Sequence, residues 1–311
     1  MTRPLISIIT PCLNRADFIR EAVESVLAQN YPDFEHIIMD AGSTDGTLEI
    51  LRTYSHLHVV SEPDRGMYDG INKGLLRAHG EIIGLLNTDD LYSAGCFEAV
   101  TAAFEQNPGA LAVVGGITTF TESPFGPVTV NTLPAIGPDE LWYRVIQGSP
   151  VTNAWFFRPS IFERGGGFDT RFRFSADRFF LIHITLDMNV RPVAIPRVLY
   201  HYRQHSGSVT LTTLDSRSPQ YGSLRMKTLQ EDISGLEEFL ARSSLPREVH
   251  HYLRQAHGEC CYRLTATALY HHQWRLAVNT IKRGWRRNAR WPLIFTAMAL
   301  HRLLKEVTGH G

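Results

Sequence analysis

The chain has 311 residues, and its 31 Lys and Arg balance its 31 Asp and Glu, so no global charge points to nucleic acid as a partner. Its four cysteines are too few and too irregular for a disulfide framework, which fits a reducing compartment. No apolar segment reaches the length of a membrane span, and residues 1–20 lack the pattern of a secretion signal because their apolar run stops at Ile9.

Residues 5–10 form a β-rich apolar run ended by Pro11, which predicts a first strand. Residues 18–29 place Phe18, Ile19, Ala22, Val23, Val26 and Leu27 at helical spacing. Strands are predicted over 34–39 and 57–61, with a small-residue turn at 41–46 that opens a helix over 47–54. A helix over 68–78 leads to a fourth strand, 82–86, whose unbroken apolar run reads as buried on both faces. This alternation predicts an α/β layer structure with a mostly parallel sheet sandwiched by helices. Ligands of such sheets bind outside the carboxyl ends of the strands, and Thr10, Asp40 and Asp89 all fall at such ends.

The fourth strand ends in Asn87-Thr88-Asp89-Asp90. Two adjacent carboxylates there repel each other and lose hydration, so they need a cation, a set of donors or open solvent. Hard oxygen ligands suit Mg2+ or Mn2+. A helix cap is the competing reading, since a helical stretch follows from about residue 93. No Gly-rich dinucleotide fingerprint follows strand one, and no Walker lysine motif occurs. Asp69, Asn72 and Lys73 share one face of the 68–78 helix, with Arg65 just before it; that face is directed either at a ligand or at solvent.

At this point the residues resemble family 2 glycosyltransferases. The similarity rests on Ile-Ser-Ile-Ile-Thr-Pro-Cys-Leu-Asn (6–14), Asp-Ala-Gly-Ser-Thr-Asp-Gly-Thr (40–47), Ser-Glu-Pro-Asp-Arg-Gly-Met-Tyr-Asp-Gly-Ile-Asn-Lys-Gly (61–74) and Asn-Thr-Asp-Asp (87–90). The four motifs stand in the family's order, and the likeness is strongest over about residues 4–95. It implies a GT-A, Rossmann-like fold over 1–215 followed by a helical extension over 216–311. It also implies inverting transfer from a nucleotide-diphosphate sugar, UDP-sugar favoured, to a glycan or lipid-linked acceptor of a bacterial-type surface polysaccharide.

Carried over residue by residue, Thr10, Pro11 and Asn14 look like the wall around the nucleotide. Asp40 looks like the partner of its base, or else the cap of its own turn. Arg65, Asp69, Lys73, Asn87, Thr88 and Asp90 look like donor contacts, and Asp89 like the ligand of a Mn2+ or Mg2+ ion. Asn87 stands where the family's D-x-D motif has its first Asp, which removes one charge. Asp177, in Phe-Arg-Phe-Ser-Ala-Asp (172–177), takes the place of the general base, or else caps the helix that follows. The segment 201–209 resembles the closing motif of the domain. There Arg203 or His205 reaches the diphosphate or the ion, or the loop packs over the cleft without touching either. A nucleotidyltransferase, or a non-catalytic sugar- or nucleotide-binding protein of the same fold, is the alternative.

Residues 111–119 read as a further strand, 120–138 as an irregular excursion, 139–146 as a helix and 152–158 as an aromatic strand. Trp155 and Phe156 there stack on an acceptor sugar or lie in the core. The tail from about residue 220 reads as helices, one of them over 249–283. His257, Cys260 and Cys261 make a poor zinc motif and read as buried. From Arg247 onward eleven Lys and Arg face three Asp and Glu, with Trp274, Trp285 and Trp291 among them. That mixture suits peripheral contact with an anionic membrane, or a helical cap or homodimer surface. The expected location is cytoplasmic, at the inner face of the membrane.

Overall fold

The structure, a computed structural model, describes residues 5–148, 152–205 and 219–287. Ser206 to Val209 of the closing motif, and Arg290 and Trp291 of the basic tail, lie outside the described residues, as does the boundary expected at 215. The chain divides into two compact units, Met1–His205 and Ser206–Gly311.

The first unit opens with strand β1 (Ile6–Cys12), helix α1 (Ile19–Leu27), β2 (Phe34–Asp40), α2 (Thr47–Leu51), β3 (Leu57–Ser61), α3 (Met67–Leu75) and β4 (Ile82–Leu85). It continues with β5 (Leu91–Tyr92), α4 (Cys96–Gln106), β6 (Ala112–Thr121), β7 (Val128–Leu133), α5 (Leu141–Gln147), β8 (Trp155–Phe157), α6 (Ser160–Gly165), α7 (Ala176–Leu186) and β9 (Val193–Gln204). Among the described residues these strands form one sheet in the order β3-β2-β1-β4-β8-β6-β9-β5, with β7 on β6. The β3-β2-β1-β4 half is parallel throughout, and β6 pairs parallel with β9. Strand β8 runs antiparallel between β4 and β6.

The central strands are built from Ile6, Ile8, Ile9, Ile37, Ile38, Ile82 and Ile83, all buried. Branched chains covered on both faces are what a central parallel strand needs. Helix α3 lies hard against β1, since a Cβ on Gly74 would come within 2.5 Å of Ile9 Cγ2. Only a glycine allows that approach. Trp155 and Phe156 of β8 are fully buried, so they belong to the core and not to an acceptor surface.

In the parallel half, register sets the site. Cys12 stands opposite Asp40, and Asp40 opposite Ser61, so the carboxyl ends of β1, β2 and β3 share one edge of the sheet. Leu85, one residue before the end of the apolar run, stands opposite Ile9.

Two expected boundaries change. The excursion over 120–138 contains β7, which pairs antiparallel with β6 around a turn closed by Ser123 and Gly126. Its Val-Thr-Val-Asn-Thr sequence is β-branched but exposed, so no buried face announces it, and pairing with the long β6 supplies the strand. The helix expected over 249–283 is two helices, α9 (Arg247–Tyr270) and α10 (Trp274–Arg287), broken where His272 takes φ 57°.

Together with α8 (Pro219–Leu240), these helices make up the described part of the second unit. Glu237 of α8 ties the three together. It pairs with His257 of α9 at 3.1 Å and accepts from Arg283 of α10 at 2.7 Å. Burial would raise the Glu237 carboxyl, but Arg283 and His257 outweigh it and hold it below its ordinary value. Cys260 and Cys261 are buried thiols outside any disulfide, and burial pushes Cys261 up to about 12, far from a metal-ready thiolate.

Candidate active site

The site grows from the loops at the carboxyl edge. After β1 the backbone turns at Asn14, whose φ of 52° is left-handed, a region Asn tolerates. Its side-chain carbonyl accepts from the Thr44 N–H at 2.9 Å, and its own N–H donates to the Ser43 hydroxyl at 2.8 Å. Arg15 N–H reaches Thr47 and Ala16 N–H reaches Asp45, so the loops after β1 and β2 are laced into one wall.

Asp40 anchors that wall from beneath. Its carboxylate accepts from the Gly42 and Ser43 N–H groups and from the hydroxyls of Ser43 and Ser61. Burial would raise its pKa, but these donors outweigh it and hold the group below the ordinary carboxylate value. The side chain is sealed and fully engaged, so the turn-capping alternative describes its geometry. Thr10 is also sealed. Its hydroxyl pairs with His36 Nε2 at 2.9 Å and points into the sheet. Pro11 and Asn14 are left at the accessible edge.

In the first turn of α3, Asp69 accepts from the Arg65 N–H at 3.1 Å and from its guanidinium at 3.0 Å. Those bonds, with Lys73 at 3.8 Å, hold its carboxyl below the ordinary value. Lys73 also donates to the Pro63 carbonyl at 2.7 Å and pairs with Glu62 at 3.2 Å. The polar face of α3 is thus a network within its own entry loop, from which the 79% exposed Arg65 projects. Asn72 clamps a different loop, donating to the Phe168 carbonyl and accepting from its N–H, each at 2.8 Å.

The end of β4 separates the two carboxylates. Asp90 turns inward, where it accepts from Asn87 Nδ2 at 3.1 Å, Tyr200 OH at 2.7 Å and the Arg203 N–H at 2.8 Å. Burial, and then the nearby Asp89 charge, push it up to about 7. Thr88 is buried too, and Asn87 is occupied with Asp90. Asp89 keeps its carboxylate half-exposed, with Oδ2 2.9 Å from Nε2 of His205, the residue that follows β9. Of the needs expected of the two adjacent carboxylates, Asp90 meets its own with a buried set of donors, while Asp89 stays half-exposed beside His205.

Arg203 is a structural clamp rather than a diphosphate contact. Its guanidinium is buried, donates to the Asp89 carbonyl at 2.9 Å, pairs with Glu21 and Glu122, and lies over the Phe120 ring. His205 is the residue of the closing motif that meets the carboxylate, with its ring 4.5 Å from Phe18.

Asp177 stands in the first turn of α7 and accepts from the Arg178 N–H at 2.8 Å, a local cap. Tyr68 of α3 also donates to it, at 2.9 Å, and the Thr152 hydroxyl at 3.4 Å. Beside Thr152, Asn153 donates to Tyr200 OH at 2.7 Å. A polar chain therefore links Asp177, through residues 152–153 and Tyr200, to Asp90 and Asn87. Tyr68, Thr152 and Tyr200 carry no expectation from sequence. Tyr68 lies inside a quoted motif, and that was the available signal.

The pair Asp89 and His205 fits a hard divalent ion. Neighbouring ligands around an ion bound at about 2.1 Å stand about 3.0 Å apart, and these stand 2.9 Å apart. Among the described residues no cluster of three or more His, Cys, Asp or Glu that could hold a metal ion forms, and Asp89 and His205 stand there as a pair. Diphosphate oxygens and waters are the usual further ligands of Mg2+.

A mixed, mostly parallel sheet of this order flanked by helices defines an α/β protein, and comparison with known proteins specifies its class. The chain belongs to glycosyl transferase family 2, whose model matches residues 7–165. It is 44% identical over 93 residues to the putative teichuronic acid biosynthesis glycosyltransferase TuaG of Bacillus subtilis, a match that spans 28% of this chain and only 37% of that protein's length. It is 29% identical over 209 residues to the PGL/p-HBAD biosynthesis glycosyltransferase of Mycobacterium tuberculosis, covering 65% of this chain and 75% of the relative. Among solved structures, S. aureus TarS 1-349 in complex with UDP-GlcNAc superposes with a TM-score of 0.55 at 16% identity, over 93% of this chain and 92% of that one. The mannosyltransferase PcManGT from Pyrobaculum calidifontis, in complex with GDP-Man and Mn2+, gives 0.58 at 19% identity, over 100% and 89%. The fold is GT-A.

Proposed function

We propose that the chain transfers a sugar, with inversion, from a nucleotide-diphosphate sugar to a glycan or lipid-linked acceptor in surface polysaccharide or glycolipid biosynthesis. The contact of Asp89 with His205 carries the reading, because carboxylate and imidazole, two groups able to ligate a divalent ion, stand together beyond the carboxyl ends of a GT-A sheet. The relatives' roles, in teichuronic acid and PGL/p-HBAD biosynthesis, supply the acceptor class. The transferase activity is assigned to residues 1–215, with 216–311 a helical extension.

In this scheme the wall of Pro11 and Asn14 faces the nucleoside, while Asp40 holds the wall's shape and Arg65 projects toward the donor. A Mn2+ or Mg2+ bound by Asp89 and His205 would neutralise charge on the departing diphosphate. Asp177 accepts the acceptor hydroxyl proton while that oxygen bonds to the anomeric carbon and the bond to the diphosphate breaks. Tyr68 and Thr152 hold the carboxylate in place for that transfer.

UDP is the favoured nucleotide, and the solved neighbours bind UDP-GlcNAc or GDP-Man. A thermal-shift panel of UDP, GDP, CDP and dTDP, each with Mn2+ and with EDTA, tests the assignment. One nucleotide should raise the melting temperature, only with Mn2+. Folded protein that responds to none of them would overturn the donor site.

A further inference from the structure

We propose that α10 docks the protein on a bilayer surface rich in anionic lipid. Trp274, Val278, Ile281 and Trp285 recur at helical spacing and form one stripe along the helix. The stripe is open to solvent: Trp274 is 61% exposed, Trp285 58% and Val278 49%. The helix already buries another face through Ala277, Thr280 and Gly284, so the stripe is not the one that packs its own unit. Two exposed indoles on one line are unusual for a face meant for water alone.

Charge selects the occupant. Residues 274–287 hold Arg275, Lys282, Arg283, Arg286 and Arg287 and no acidic residue. Arg283 is taken by Glu237, while Arg275, Lys282, Arg286 and Arg287 are exposed. Arg275, Lys282 and Arg286 fall beside the apolar stripe on the wheel of the helix. A second copy would set these cations against their own images with no carboxylate on the helix to meet them. Anionic headgroups supply the opposite charge, and indole rings settle at headgroup depth. The inference stands independently of the glycosyl-transfer reading.

The test is co-sedimentation of the full chain with phosphatidylcholine vesicles with and without phosphatidylglycerol. Binding should require phosphatidylglycerol, weaken with added salt and shift tryptophan emission to the blue. The triple variant Arg275→Gln, Lys282→Gln, Arg286→Gln should bind about a hundredfold more weakly, at the per-charge attraction expected near such surfaces. Trp274→Ser with Trp285→Ser should lose the blue shift. These positions are exposed, so both variants should melt with the parent. Absence of vesicle binding overturns the proposal, and so does binding that ignores phosphatidylglycerol. A parent dimer in light scattering that the Trp double variant dissolves would assign the stripe to a second copy.

Discussion

Tyr68 donates its hydroxyl to Oδ1 of Asp177 across 2.9 Å, joining two residues 109 positions apart. The bond fixes a carboxylate at the start of α7 by a ring on α3, and that ring stacks on Phe168 at 5.5 Å. Removal of the hydroxyl in Tyr68→Phe should lower kcat about tenfold, the worth of a hydrogen bond to a charged group, with the KM for donor unchanged. Asp177→Asn should lower kcat about a thousandfold and leave the fold intact. Steady-state kinetics beside a thermal melt read both effects. A Tyr68→Phe enzyme with altered donor KM and normal kcat would give the tyrosine a binding role instead.

Asp89 and His205 should act as a pair on nucleotide affinity. Asp89→Ala should abolish the Mn2+-dependent part of the UDP thermal shift, and His205→Ala should weaken it by about tenfold in metal affinity. Isothermal titration of UDP with Mn2+ and with EDTA separates the metal-dependent share. Unchanged Mn2+ dependence in both variants would move the ion elsewhere.

Asp40 should matter to stability first. Asp40→Ala strands two backbone N–H groups and two hydroxyls at a buried turn, which costs about 3 kcal/mol. The urea midpoint should fall with an unchanged m value. A variant of full stability that has lost nucleotide affinity would place the carboxylate on the ligand.

His36 gives the fold an acid limit. Its ring is wholly buried, and burial, with His56 nearby, lowers its pKa from 6.5 to about 3. Between those values the unfolded chain holds a proton that the folded chain refuses. Stability is therefore fully present above pH 6.5 and falls as the pH drops, by up to about 1.4 kcal/mol per unit. Urea titrations of the parent and His36→Gln at pH 7 and pH 5 should show the variant losing less over that step.

The parallel half of the fold is legible in the sequence because its strands are short apolar runs whose ends carry polar turns. The position of Asp89 after the fourth such run was legible in the same way, whereas His205 came forward only through the family resemblance of residues 201–209. The directions of Thr10, Asp40 and Asp90 were not legible. A residue at a strand end faces the cleft or the core according to the next two or three backbone angles, and no periodicity encodes those. Asp90 takes two of its three donors from Tyr200 and Arg203, more than a hundred residues away, so its neighbours in sequence do not show that it is buried. Strand β7 was missed because an exposed edge strand has no apolar face to display. The break between α9 and α10 was missed because His272 resembles an ordinary helical residue until its backbone is seen.

Strand β9 sets when the site can exist. Tyr200 and Arg203 seat Asp90, Arg203 braces the Asp89 carbonyl, and His205 meets the Asp89 carboxylate, yet all three follow the family match, which ends at residue 165. During synthesis β1 to β4 emerge early, and their mutual contacts are local to that stretch. Asp90 must then wait for roughly a hundred further residues before its donors arrive, and closing so long a loop is entropically slow. A nascent chain halted before residue 200 would hold most of the sheet and none of the assembled ion pair. Competence for chemistry is thus gained late and all at once, when the last strand of the unit slides in beside β6.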